Sequence, residues 1–119
     1  MADKQAAFIR ILKNVAQNKN SSGLEREVAE ILLNHDEPYM HAQDILQYGC
    51  IYGCVGPLIY YVDTFAFCDR HYHEIEELRH EFEDATGQPL DFGDALIKND
   101  LAWFGFETIT GQFLDQLPD

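Results

Sequence analysis

Apolar residues that recur every three or four positions, in one segment after another, restrict this chain to a packing of helices. Ala7, Phe8, Ile11, Leu12 and Val15 share one side of a helix expected over about 3–17, with Lys4, Arg10 and Lys13 on the other. A turn follows over 18–23. Ser22 and Glu25 then stand three apart, the spacing of a capping box, at the head of a second helix over 24–34 that buries Leu24, Val28, Ile31 and Leu32. The stretch from His35 to Pro38 breaks it, and a short helix is expected over about 42–48. Gly49, Gly53, Gly56 and Pro57 read as a loop or a bent helix end.

From Leu58 to Phe67 the chain is apolar nearly all round, as in a helix packed on several sides, with Tyr60, Tyr61, Phe65 and Phe67 supplying core area. Asp63 falls in the middle of that run. A carboxylate there needs a partner such as Arg70, Arg79 or a tyrosine hydroxyl, and the expected role is a buried group that ties helices together. Over about 70–86 the apolar positions narrow to Tyr72, Ile75, Leu78, Phe82 and Ala85, the stripe of an outer helix that Gly87 and Pro89 terminate. Asn99 or Asp100 can cap a last helix carrying Leu101, Phe104, Ile109, Phe113 and Leu117, with Trp103 and Phe106 widening its apolar face. The expected fold is all-α: residues 1–119 as one compact domain of about five helices around a central apolar helix at about 57–68. The length of 119 residues suits one core, and 46% hydrophobic residues suffice to offset the entropy of ordering.

Charge excludes several functions. The net charge is −13, which repels nucleic acid and anionic lipid and attracts basic partners. It is unevenly placed: residues 1–19 carry four basic residues against Asp3, while the remainder sets 20 acids against Arg26, Arg70, Arg79 and Lys98. No stretch reads as a membrane span or as a secretory leader, and three cysteines, Cys50, Cys54 and Cys68, read as reduced thiols in a cytoplasmic protein.

Two stretches have metal-ligand spacing. Cys50-x3-Cys54 with Cys68-x2-His71 has the look of a zinc module, but a helix between the two pairs would hold Cys54 and Cys68 about 20 Å apart. Glu77-x-x-His80, within a run that also holds His71 and His73, matches one quarter of a carboxylate-bridged di-metal site and lies opposite the apolar stripe. No metal or cofactor is expected. There is no G-x-S-x-G, H-E-x-x-H or phosphate-binding loop, so no catalytic residue is assigned and the chain is expected not to be an enzyme.

The acids themselves are the candidate site. Glu74, Glu77, Glu81 and Asp84 follow one another at i, i+3, i+7 and i+10, with Glu76 and Glu83 on a neighbouring line and Asp69 just before them. Like charges stacked in this way oppose helix formation by about 0.2–0.5 kcal/mol per pair. Such a face is either a solubility device or an imitation of a phosphate row that occupies a basic groove. A second candidate is apolar: Trp103, Phe104 and Phe106 are too many aromatic residues in sequence for all to face inward, and they suit a helical adaptor or a homo-oligomer.

The block from Asp44 to Cys50, the run from Ile59 to Phe67 and the segment from Leu101 to Glu107 resemble a group of small acidic proteins carried by phages and other mobile elements. The resemblance covers about residues 42–110. It implies the company of anti-CRISPR and anti-restriction proteins, hence a non-enzymatic inhibitor in the host cytoplasm that binds a basic nucleic-acid-binding complex such as a CRISPR effector subunit. The basic first helix departs from a uniformly acidic mimic.

Overall fold

The computed structural model describes residues 2–48, 63–89 and 97–118. It is all-α: α1 (Ala2–Gln17), α2 (Gly23–Leu33), α3 (Pro38–Tyr48), α4 (Thr64–Arg70), α5 (Tyr72–Thr86) and α6 (Ile97–Asp115), with no strand among the described residues. No described helix is long and apolar enough to cross a membrane.

Local chemistry sets most of these boundaries. Ser22 Oγ accepts from the Glu25 N–H at 3.1 Å and Glu25 Oε1 accepts from the Ser22 N–H at 2.9 Å, which completes the capping box of α2. Gly87 closes α5 in the left-handed conformation at φ 69°, its N–H on the Glu83 carbonyl at 2.8 Å. α3 begins four residues earlier than expected. Pro38 sits at its first position, where a missing N–H is harmless, and the next donor, the Tyr39 N–H, finds Gln5 Oε1 of α1 at 3.0 Å. α6 begins at Ile97, so Asn99 and Asp100 lie in its first turn rather than at its cap.

Asp63 differs from its expected role. It is exposed and serves as the N-cap of α4, its Oδ1 accepting from the Phe65 N–H at 2.9 Å and the Ala66 N–H at 3.2 Å. An aspartate one residue before a helix satisfies two orphan donors, whereas inside the apolar run it would have been desolvated. Of the expected central helix over 57–68, residues 57–62 lie outside the described residues, as do Cys50, Cys54 and the glycines at 49, 53 and 56. Its remainder is α4, whose Phe67 and Cys68 are fully buried.

The helix on which all five other described helices pack is α6. The reason is its composition: Leu101, Ala102, Trp103, Phe106, Ile109, Thr110 and Phe113 are buried on several sides of it. Thr110, the one polar member, is accommodated because its hydroxyl donates to the Phe106 carbonyl at 2.7 Å. α5 approaches closely at Gly105, where a β-carbon would lie 2.8 Å from Ile75 Cγ1. α1 and α2 pack on each other and on α6, and add Phe8, Leu12, Val28 and Leu32 to the core.

One buried group makes the fold acid-sensitive. His41 stacks on His35 with ring centroids 3.8 Å apart and planes at 12°. Burial first, and the neighbouring His35 second, push the His41 imidazole down from 6.5 to about 4 against the opposing influence of Asp44. Between those values the unfolded chain binds a proton that the folded chain does not, so stability is complete above the ordinary value and declines as pH falls toward the depressed one. Allowing for solvent screening, about 1–2 kcal/mol should be gone by pH 5. Urea midpoints at pH 7 and pH 5 read this, and His41→Phe, which keeps a ring against His35, should flatten the slope; an unchanged slope in that variant would assign the acid sensitivity elsewhere.

Candidate functional site

The expected acidic face is divided by the fold. Successive helical residues turn by about 100°, which places Glu77, Glu81 and Asp84 within a narrow sector of α5 and Glu76 and Glu83 about a third of a turn away. Glu77, Glu81 and Asp84 are exposed, as is Asp69 on α4. Glu76 is half-buried and pairs with Arg79 at 3.5 Å and, more distantly, with His80 at 3.9 Å. Glu83 is also half-buried. Glu74 has a structural partner: its Oε2 accepts from the Leu24 N–H at 3.1 Å, a helix-start donor of α2. That bond fixes α5 against the positive end of α2, where a carboxylate is favoured by the helix dipole.

Together these elements form an open cleft of about 270 Å³. Its apolar floor is Leu24, Leu78 and Ile109, and its rim carries Glu25, Glu74, Glu77 and Glu81, with no Lys or Arg among the described lining residues. Glu25 and Glu74 are held by backbone donors, so Glu77 and Glu81, one helical turn apart, are the carboxylates that face solvent there. Among the described residues that line the cleft, Ser22 carries the one hydroxyl, and its oxygen accepts from the Glu25 N–H. Among the described residues no group of histidines, cysteines and carboxylates is arranged to hold a metal ion.

Next to the cleft lies a cluster that sequence reasoning missed. Glu27 of α2 accepts from Arg70 Nη2 at 2.6 Å and Arg70 Nε at 3.2 Å, and its Oε1 lies 2.7 Å from His71 Nε2. His71 is buried at the junction of α4 and α5, its ring edge-on to Phe67 at 5.0 Å. Burial alone would raise the Glu27 carboxyl, but the hydrogen bonds and charges of Arg70 and His71 outweigh it and hold it below the usual carboxylate range. Its partners are more than 40 residues away in sequence, and no local pattern announces such a pair. His73 and His80 are exposed.

The aromatic candidates separate as well. Trp103 is 3% exposed and Phe106 is fully buried, their rings stacked 6.0 Å apart, so the core claims both and they offer no surface. A helix that is apolar on several sides buries neighbours in sequence when other helices surround it, which is the physical reason the patch is smaller than expected. Phe104 alone is half-exposed, edge-on to Phe82 at 6.1 Å.

A family model described as a domain of unknown function (DUF7222) matches residues 10–119. No curated protein and no solved structure matches the chain.

Proposed function

We propose, for a chain that belongs to the DUF7222 family, a non-catalytic role: it binds a basic protein surface of the kind that otherwise holds nucleic acid. The observation that carries this reading is the pair Glu77 and Glu81, exposed on the acid-lined cleft with Asp84 on the same side of α5 and no Lys or Arg among the described residues that line the cleft. Such a surface steers a cationic partner and rejects nucleic acid and anionic lipid. The narrower reading is a stoichiometric inhibitor of a host defence complex, with a CRISPR effector subunit as the partner, acting in the host cytoplasm. Its support is the net charge of −13 together with the sequence pattern over 42–110.

Recovery of a basic nucleic-acid-binding protein from host lysate at low salt, and its loss at moderate salt, is the expected result. Glu77→Lys with Glu81→Lys should weaken that capture by about tenfold without altering the helical circular dichroism, because both side chains are exposed. Full capture by the double variant would remove this face as the site.

A further inference from the structure

We infer that the acid-lined cleft is a socket for a single arginine side chain of the basic partner, a reading that rests on the acidic-face proposal and names what that face recognises. Three helices share its apolar floor: Leu24 stands at the start of α2, Leu78 on α5 and Ile109 on α6. Leu24 and Ile109 are buried, whereas Leu78 is only half-buried and keeps apolar surface open to the cleft. Glu77 precedes Leu78 in sequence and Glu81 lies one turn beyond it, both exposed, so the open apolar surface and the carboxylates are neighbours on one helix.

That combination sorts the cations a protein can present. A lysine ends in a compact, strongly hydrated ammonium, which loses water over an apolar floor and makes a point contact. A guanidinium is flat and weakly hydrated; it tolerates apolar surface beneath its face and carries five N–H donors around its edge. The methylene stem of an arginine would cover Leu78 while its edge donates to Glu77 and Glu81, whose backbone positions are about 6 Å apart along the helix. Glu25 and Glu74 contribute differently. Each has one oxygen committed to a backbone N–H, that of Ser22 and of Leu24, so both carboxylates are already in place when a partner arrives and need little ordering on binding. Asp84 shares the exposed side of α5 but stands outside the cleft lining, which separates attraction at a distance from recognition in the socket.

The test uses two fluorescein-labelled peptides of equal length and charge, arginine alternating with glycine in one and lysine alternating with glycine in the other. By fluorescence anisotropy at low salt, the arginine peptide should bind about fivefold more tightly. Glu81→Gln removes an acceptor and Leu78→Ser removes the apolar floor, and each should bring that preference below about twofold. Asp84→Asn takes the same charge from the same helix outside the cleft, so it should weaken both peptides alike and keep the preference. If Leu78→Ser lowers the helical circular dichroism, Glu81→Gln, at an exposed position, decides the matter. Equal or tighter binding of the lysine peptide, a preference that survives a folded cleft variant, or its equal loss in Asp84→Asn would overturn the socket and leave the acidic face standing. Failure of both peptides to bind would overturn both.

Discussion

Gly105→Ala should lower stability by about 2 kcal/mol, even though Ala is the better helix former by about 1 kcal/mol. A β-carbon at that position would stand 2.8 Å from Ile75 Cγ1 and 3.2 Å from Cδ1. Ile75 is fully buried and branched at its β-carbon, so it has one comfortable rotamer and no room to rotate away. Relief requires α5 to move off α6, which loosens every contact between them. Gly111, six residues along the same helix, provides the control. Its added β-carbon would meet the Leu46 methyl groups at 3.8 Å, ordinary van der Waals contact. Gly111→Ala should therefore stabilise by about 0.5–1 kcal/mol. Urea midpoints at constant slope read both. Equal gains in the two variants would mean that α5 does not lie this close to α6.

Glu27→Ala should lower stability by about 2–3 kcal/mol at neutral pH. The larger share comes from His71, which is 8% exposed and would keep a buried ring nitrogen without its carboxylate at 2.7 Å. The Arg70 pair contributes less, because that side chain is 47% exposed and its charge is screened. Because Glu27 titrates below the ordinary carboxylate value in the folded protein, its contribution is complete above that value and is lost as pH falls through the depressed one. Glu27→Gln keeps the shape and removes the charge, so it should lose most of that contribution at neutral pH and show a shallower acid limb than the parent. A loss under about 0.5 kcal/mol in Glu27→Ala would show that water replaces the carboxylate at little cost.

What the sequence made legible was local. The capping box at Ser22 and Glu25, the glycine stop at Gly87 and the apolar stripe of α1 each follow from residues within a few positions of one another, and the structure contains all three. Asp63 was misread within the same range: the apolar run around it hid an N-cap that an aspartate ahead of Phe65 and Ala66 could have announced. The remaining differences are long-range. Spacing placed Glu77, Glu81 and Asp84 together, but it could not show that Glu74 is committed to the Leu24 N–H, 50 residues away, or Glu76 to Arg79. Nor could it show that the close approach of Ile75 demands a glycine at 105. Tertiary contact, not propensity, decides which polar groups are left for a partner.

The position of α6 in chain order has a consequence during synthesis. Every earlier described helix rests on it, yet translation supplies it after all of them, at about 5–20 residues per second. α1 and α2 can join as a hairpin while the nascent chain is still growing, since they pack on each other directly. The helix on which α4 and α5 both pack, residues 97–115, leaves the ribosome only after them. For several seconds the emerging chain shows apolar faces that its finished form conceals, and the ribosome-bound intermediate is the form on which chaperones would act.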